Sequence, residues 1–256
     1  NKAKEYIKLG DIFQVVLSQR FEAKMIKKPL DIYKKLRVTN PSPFMFFFNF
    51  SDFQIIGASP EILVRLRNNV ITVRPIAGTR PRGRNNKEDN LLKKDLINDK
   101  KELSEHLMLL DLGRNDAGKV SKINTIKVTE KFKIEKYSHV MHIVSNVTGI
   151  YDKKFSKFEA LMAGFPAGTV SGAPKIRAME IIDELEKNSR KIYAGGIGYF
   201  SANGDFDTCI ALRTAITKNN KFYVQAGAGI VADSKPINEY NETINKAKAL
   251  IKSLEK

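Results

Sequence analysis

The sequence predicts an α+β fold. Strand-like segments occur in groups, for example at residues 44–50, 54–58, 62–69 and 70–78, without the strict alternation of strand and helix that a parallel sheet shows. Helical segments separate these groups. The chain has 256 residues, 42% of them hydrophobic, so it can bury a large core, and we expect one domain that spans residues 1–256.

Hydrophobic periodicity and helix-breaking residues define the expected elements. Residues 12–24 contain an apolar run that fits either a helix or a strand, and we expect a helical start that passes into a strand. The expected helices cover residues 1–9, 29–35, 89–110, 157–164, 168–186 and 237–255. The other strands are expected at residues 123–138 (as a pair), 139–151, 193–201, 208–219 and 221–231, with a polar loop at 78–89 and a turn at 112–120.

Charge and cysteine content exclude several classes of function. The net charge is +16, but the 44 Lys and Arg residues are spread along the whole chain without an arginine stripe, so we expect no specific nucleic-acid binding. The single cysteine, Cys209, excludes an internal disulfide and is expected to be an inert core thiol in a reducing compartment. We expect neither a membrane span nor a signal peptide, and a cytoplasmic location. The chain begins with Asn1 rather than Met, and we expect that a preceding segment is missing.

Two pairs of glutamates are the most informative acidic feature. Glu239 and Glu242 lie three residues apart on the expected last helix, and Glu102 and Glu105 repeat this spacing on an earlier one. Each pair shares one helix face. Taken alone, the pair of Glu239 and Glu242 also fits an acidic first turn that complements the helix dipole. Together the two pairs predict a site for a hard cation with oxygen ligands, most plausibly Mg2+.

Two loops are candidate anion sites. Residues 75–83 combine glycines with Arg80 and Arg82, whose guanidinium groups bind anionic oxygens, although a solvated basic turn fits equally well. Residues 168–175 place small side chains at an expected helix N-terminus. This segment lacks the spacing of a P-loop, and an ordinary helix start explains it equally well.

Three histidines and one arginine complete the candidates. His139 and His142 are expected to point to opposite faces of a strand, so a shared metal is disfavoured. One of them is a catalytic candidate, with a hydrogen-bonded core histidine as the alternative. His106 is expected to be structural. Arg213 is expected on a buried apolar strand, where a guanidinium needs an anionic partner.

Seven motifs in order resemble the chorismate-utilising enzymes, from about Asp11 to the end of the chain. They are PIAGTRPRG, LLDLGRND, YSHVMHIVSNVTG, GTVSGAPKIRAMEII, YAGGIGYF, CIALRTA and QAGAGIVADS followed by EYNETINKA. The resemblance implies an α+β domain of two packed antiparallel β-sheets flanked by outer helices. It also implies a Mg2+-dependent enzyme that acts on chorismate.

The resemblance also implies roles for the candidate residues. Glu105 and Glu242 would hold Mg2+, with Glu102 and Glu239 acting through water. Glu61 would be the general acid that protonates the departing C4 hydroxyl, and His142 would assist the loss of the enolpyruvyl side chain as pyruvate. The substrate carboxylates are expected to contact Thr169, Tyr193, Arg213, Gly227, Gly229 and Lys246.

Two positions distinguish the activities within this family. Isochorismate and salicylate synthases carry a lysine base where this chain has Gln14, and a glutamine cannot deprotonate water. Aminodeoxychorismate synthases typically carry a nucleophilic lysine where this chain has Ala77. Gln14 with Ala77 leaves ammonia as the attacking group, which is the anthranilate synthase pattern. The alternatives are an aminodeoxychorismate synthase that lacks the lysine and a truncated, non-catalytic chorismate-binding domain.

Partners follow from the same resemblance. Ammonia is expected from a glutamine amidotransferase subunit. The motif formed by Asn40, Pro41, Ser42, Pro43, Phe44 and Met45 resembles half of a tryptophan feedback site, with the other half in the expected missing segment. Tryptophan inhibition is therefore a hypothesis about a longer chain.

Overall fold

The computed structural model describes residues 1–137 and 140–254, without the Ala249 side chain. Thirteen strands are present: β1 Gln14–Lys24, β2 Phe44–Asn49, β3 Gln54–Ser59, β4 Ile62–Arg67, β5 Val70–Val73, β6 Ile76–Pro81, β7 Lys127–Lys136, β8 Val140–Ile150, β9 Gly172–Ala173, β10 Gly196–Phe200, β11 Phe206–Ile210, β12 Thr214–Lys218 and β13 Lys221–Ile230 in this described part. The α-helices described are α1 Lys2–Lys8, α2 Pro29–Thr39, α3 Asn86–Asn98, α4 Lys100–Gly118, α5 Lys157–Met162, α6 Lys175–Leu185 and α7 Pro236–Leu254.

The strands form two antiparallel sheets, which confirms the predicted α+β class. One sheet has the order β2-β3-β12-β13-β1-β9, and the other has β10-β11-β4-β5-β8-β6 with β7 also paired to β8. The chain divides into two compact units. Unit 1 comprises Asn1–Glu61, Val170–Ile197 and Cys209–Lys256, and unit 2 comprises Ile62–Thr169 and Gly198–Thr208.

Unit 1 buries one face of its sheet under helices. In the long β1–β13 ladder, Val15 lies opposite Ile230 and Leu17 opposite Ala228, so these side chains share a face. Helices α2 and α7 pack on the apolar strand residues Ile56, Ala215, Phe222, Val224 and Ala226. Helices α1 and α6 pack on the same face around Val15. The opposite face carries polar side chains such as Ser18, whose hydroxyl donates to Glu186 Oε1 at 2.8 Å.

Unit 2 packs helices α3 and α4 on β6 and β8. Leu96 of α3 and Met141 and Ile143 of β8 are fully buried together. His106 of α4 is also fully buried, and its Nε2 lies 2.7 Å from Ser145 Oγ on β8. Burial lowers the pKa of His106 to about 4, so the imidazole is neutral near neutral pH. The structural role expected for this histidine fits that environment.

Several predicted elements are confirmed, and seven are corrected. The helix that was expected at 89–110 is two helices, because the Asp99 side chain accepts hydrogen bonds from the Lys101 and Glu102 amides and starts a new helix. Helix α4 then continues through the turn predicted at 112–120 as far as Gly118. Residues 12–24 have no helical start, since Gln14 and Val15 already pair with β9. Where a pair of strands was expected at residues 123–138, the described residues form one bulged strand, Lys127–Lys136.

The remaining three corrections concern candidate sites. The predicted loop at 78–89 begins as strand β6, which pairs with β8. Residues 208–219 are two strands, since Arg213 adopts a positive φ of 47° between β11 and β12. Arg213 is therefore half-buried in the connection between β11 and β12 rather than on a buried strand. The helix expected from residue 168 starts only at Lys175, after a short 3-10 turn and β9. His139 lies outside the described residues.

No described helix is long and apolar enough to cross a membrane. Cys209 is buried, as expected for a core thiol. The single-domain organisation and the cytoplasmic location stay predictions.

Asp89 gives the first testable prediction. Its buried carboxylate accepts from Arg82 Nη2 at 2.6 Å, from the Gly83 amide at 2.6 Å and from Lys136 at 3.1 Å. The Arg82 guanidinium, followed by the Gly83 N–H, holds the pKa of Asp89 well below its usual range. We expect Asp89→Asn to lower the Tm by several degrees at pH 7, because the substitution removes the buried charge that pairs with the partly exposed Arg82 and Lys136.

The matched control is Asp95→Asn, whose carboxylate binds Arg80 but is 63% exposed, and a smaller change is expected. A depressed carboxylate pKa stabilises the fold above the ordinary Asp range and ceases to do so as the pH falls through the depressed value. The gap in Tm between wild type and Asp89→Asn should therefore narrow on acidification. An equal loss of Tm in Asp89→Asn and Asp95→Asn would contradict the stabilising role of the Asp89 charge. A difference in Tm between wild type and Asp89→Asn that widens in acid would contradict it as well.

Candidate active site

In unit 1, part of one edge of strand β13 is not paired with another strand among the described residues. Its pairing with β12 ends at Val224, whereas its pairing with β1 continues to Ile230. In an antiparallel ladder the N–H and C=O of one residue point to the same side. The Gly227 N–H donates to the Tyr193 hydroxyl oxygen, and the Gly227 carbonyl accepts from Lys246 Nζ at 3.0 Å. Both backbone groups of Gly227 therefore face away from β1, on the open edge.

The absence of a side chain at Gly227 allows this approach. A Cβ at that position would lie 2.8 Å from the Tyr193 hydroxyl and 3.0 Å from the Leu17 carbonyl oxygen. Burial raises the pKa of Tyr193 to about 12, so its hydroxyl stays protonated and can act as a donor. The negative charge of Glu61 contributes in the same direction, which places that carboxylate within the electrostatic range of Tyr193. Glu61 itself is buried, at 6% exposure.

Helix α7 adds the acidic pair to this edge. Glu242 Oε1 lies 2.6 Å from Lys246 Nζ, one helical turn further on. Glu239 Oε1 accepts from the Ser234 hydroxyl at 2.7 Å, and Ser234 also lies 3.4 Å from the Gly229 carbonyl. The two glutamates are thus held differently, one by an ammonium group and one by a hydroxyl. Ser234 was not predicted, although its position in the turn before the acidic helix was a usable signal.

Two cavities adjoin these groups. One, of about 220 Å³, lies between α1, α7 and the β1–β13 ladder, with Glu239 and Ser234 in its wall. The other, of about 100 Å³, lies on the opposite side of the sheet beside Tyr193, with Arg20, Arg190 and Thr214 in its wall. The smaller cavity is the one that adjoins predicted substrate-binding groups. Arg190, which sequence reasoning missed, lies over the Tyr193 ring at 5.5 Å and is paired with Glu186.

In unit 2 a β-bulge brings other predicted residues together. Strand β6 bulges between Ala77 and Thr79, at Gly78, whose φ is +68°. His142 on β8 lies opposite Thr79, and its Nδ1 is 3.0 Å from the Gly78 carbonyl. Because a carbonyl only accepts, this contact assigns the proton to Nδ1 and leaves Nε2 as the basic nitrogen. Ala77 lies one residue from this bulge, and its role in selecting the nucleophile stays a prediction.

The same bulge faces the other acidic pair. A Cβ on Gly78 would lie 3.1 Å from Glu102 Oε2. Burial, and then repulsion from the neighbouring Glu105, raises the pKa of Glu102. Arg80, which follows the bulge, contacts Asp99 at 2.7 Å and Glu102 at 3.6 Å. The predicted anion-binding role of Arg80 is therefore replaced, in this structure, by binding to carboxylates of its own chain.

These donors fit a hard divalent cation. Each pair offers carboxylate oxygens, and the raised pKa of Glu102 shows that two half-buried like charges lie close together without full compensation. Within either unit, the described residues contain no group of three or more His, Cys, Asp or Glu side chains that could hold a metal. The two pairs belong to different units, so their convergence on one ion stays a prediction.

The other predicted residues occupy distinct environments. Gln14 is buried at the start of β1. The Thr169 hydroxyl is buried without a hydrogen-bond partner in this structure, and its contact with a substrate carboxylate stays a prediction. Asn40 ends α2, with its Nδ2 also buried and unpartnered, and Phe44 and Met45 begin β2.

Gly227→Ala tests the open edge. The added methyl would displace Tyr193 or separate β13 from β1, and a misplacement of about 1 Å in a site costs on the order of a hundredfold in rate. We expect the affinity for chorismate to fall at least about tenfold on the same argument. Gly118→Ala is the matched control, since its added methyl would meet nothing within 4 Å. Equal chorismate affinities for both variants, measured by calorimetry, would remove the Gly227 edge from the site.

Comparison with known proteins assigns the family. The family model described as chorismate binding enzyme matches residues 1–252. The chain belongs to the chorismate binding enzyme family. Anthranilate synthase component 1 of Cereibacter sphaeroides is 63% identical over 254 residues, and that of Pseudomonas aeruginosa is 57% identical over 253; the alignment covers 99% of this chain in both cases. It covers 51% of each relative, so the chain spans about half the length of the curated relatives it matches.

Solved structures of the chorismate binding enzymes agree with the fold. Anthranilate synthase component I from Streptococcus pneumoniae matches with a TM-score of 0.91 and 53% identity, covering 97% of this chain and 55% of that one. The menaquinone-specific isochorismate synthase of Escherichia coli matches with a TM-score of 0.89 and 26% identity, covering 99% of this chain and 59% of that one.

Proposed function

We propose that this chain carries the catalytic centre of an anthranilate synthase component I. In this reaction ammonia adds to C2 of chorismate and the C4 hydroxyl leaves as water; pyruvate is then eliminated and the ring becomes aromatic. The observation that carries the proposal is the combination of Gln14 and Ala77, neither of which supplies a base or an amine. The names of the relatives at 63% and 57% identity support the same activity.

The residues of the two units have complementary tasks. Glu61, which is buried, protonates the C4 hydroxyl so that it departs as water. Nε2 of His142 then takes the C2 proton while the enolpyruvyl group leaves as pyruvate, with Nδ1–H held by the Gly78 carbonyl. Tyr193 and Lys246, both anchored at Gly227, bind substrate carboxylate together with Arg213, Gly229 and the Thr169 hydroxyl.

Glu105 and Glu242 would hold Mg2+ directly, with Glu102 and Glu239 supporting through water. When bound, the ion supplies positive charge that orients and neutralises the ring carboxylate. Ammonia reaches the site from a glutamine amidotransferase subunit. The unpartnered Asn40 amide supports an effector half-site for tryptophan at residues 40–45 in a longer chain.

Pyruvate release tests this function. With chorismate, an ammonium salt and Mg2+ at alkaline pH, we expect pyruvate in equal amount to the chorismate consumed, and none when either ammonium or Mg2+ is omitted. Isochorismate formed without ammonium would contradict the inference from Gln14. Consumption of chorismate without pyruvate would favour an aminodeoxychorismate synthase, and binding without consumption would favour a non-catalytic domain.

A further inference from the structure

Lys246 is bound by one of the proposed metal ligands. Its Nζ lies 2.6 Å from Glu242 Oε1 and donates to the Gly227 carbonyl at 3.0 Å. The side chains of both charged residues are about half exposed, at 46% for Lys246 and 47% for Glu242. This ion pair is therefore accessible to ligands on the open edge of β13.

The proposed function gives these two residues different partners. Glu242 has to bind a cation, and Lys246 has to bind a carboxylate of the substrate. An oxygen that accepts a close ammonium contact is not available to coordinate a metal at the same time, because the two positive charges repel. In this structure each of the two residues is the charge partner of the other.

We propose that Lys246 changes partner when the site fills, from Glu242 to a substrate carboxylate, and that this exchange couples metal binding to substrate binding. The inference rests on the proposed function and concerns how the site is loaded. Mg2+ alone has to displace the ammonium group from Glu242. When the metal binds together with the substrate, the substrate carboxylate becomes the new anionic partner of the displaced Lys246 ammonium group.

The geometry around Gly227 supports the exchange. An ammonium group has three donors, so Lys246 can release Glu242 while it keeps its bond to the Gly227 carbonyl. The ammonium group then stays on the open edge, where the Gly227 amide holds the Tyr193 hydroxyl. Glu239 has a different partner, since it accepts from the neutral Ser234 hydroxyl, and its contact carries no charge that a metal must displace.

Linkage determines the sign of the effect. If substrate raises the affinity for Mg2+, Mg2+ raises the affinity for substrate by the same factor. Removing the lysine charge removes the competitor of the metal, so Mg2+ should bind the substrate-free protein at least about threefold more tightly. The same change removes the group whose transfer adds to the coupling between the ligands, so substrate should tighten Mg2+ binding less than it does in wild type.

Calorimetric titration of Mg2+ into the 256-residue chain tests the proposal, with and without chorismate and with ammonium omitted so that chorismate is not aminated. Wild type should bind Mg2+ more tightly when chorismate is present. Lys246→Met should bind Mg2+ more tightly than wild type without chorismate and show a smaller further gain with it than wild type does. Lys248→Met is the matched control, because Lys248 is exposed on the same helix, and it should behave like wild type.

Two results would overturn the exchange: Lys246→Met with unchanged Mg2+ affinity in the absence of chorismate, or Lys246→Met with the full wild-type gain from chorismate. Lys246→Arg, which keeps the charge, should restore weak Mg2+ binding without chorismate, and failure to do so would also count against it. These outcomes leave the proposed function in place if wild type still releases pyruvate. If no variant binds Mg2+ under either condition, both the metal and the exchange are excluded.

Discussion

Glu242→Gln is expected to lower kcat/KM for Mg2+-dependent pyruvate release at least about a hundredfold, since a bound metal supplies several kcal/mol of charge stabilisation. The amide keeps the size of the side chain but removes the charged oxygen, Oε1, that lies 2.6 Å from Lys246 Nζ in this structure. Increasing the Mg2+ concentration should recover part of the activity, because the remaining carboxylates still attract the ion. Steady-state assays over a range of Mg2+ concentrations measure both effects.

Glu22→Gln is the matched control for this substitution. Glu22 also pairs with a lysine, Lys221, and its side chain is 50% exposed, but its partner lies at the far end of the β1–β13 ladder from Gly227. We expect Glu22→Gln to leave kcat/KM within about twofold of wild type, as is usual for an exposed ion pair. Equal activities of the two variants would exclude Glu242 from the metal site.

Glu61→Gln is expected to have the second large effect. A glutamine cannot protonate the C4 hydroxyl so that it leaves as water. Loss of a general acid typically costs about 10²- to 10⁴-fold in rate. The side chain is buried, and the isosteric amide preserves its packing. The kcat should therefore fall while the dissociation constant for chorismate, measured by calorimetry, stays within a few-fold of wild type.

The two parameters separate the possible roles of Glu61. Lost chorismate binding with a normal rate at saturation would assign Glu61 to substrate binding instead. An unchanged kcat would mean that another acid protonates the hydroxyl. We do not expect a substitution of Tyr193 alone to produce the same fall in kcat. The Tyr193 hydroxyl is held by the Gly227 amide, and because its pKa is raised to about 12 it is a weak acid.

Local sequence patterns were sufficient for the acidic pairs and for much of the fold. The three-residue spacing of Glu239 and Glu242 lies on a helix, as predicted, since this spacing follows directly from helical geometry. The hairpin of β2 and β3 was also predicted, because alternating or apolar strands flank an obvious turn. Such features depend on residues that are close in the chain.

The features that were missed depend on backbone conformations or on distant residues. Arg213 adopts a left-handed conformation that is rare for a residue other than glycine, so no local pattern indicated a break between β11 and β12. Asp99 caps a helix in the middle of an unbroken helical pattern. The contacts of Tyr193 and Lys246 with Gly227 join residues from a turn, a helix and a strand that are distant in the chain, and only tertiary packing brings them together.

Product analysis with 15N-labelled ammonium tests the central claim most directly. The protein is incubated with chorismate, Mg2+ and the labelled salt, and the products are identified by mass spectrometry. We predict 15N-labelled anthranilate together with unlabelled pyruvate, since Gln14 and Ala77 leave ammonia as the nucleophile. Isochorismate or salicylate without nitrogen, formed under the same conditions, would contradict the account.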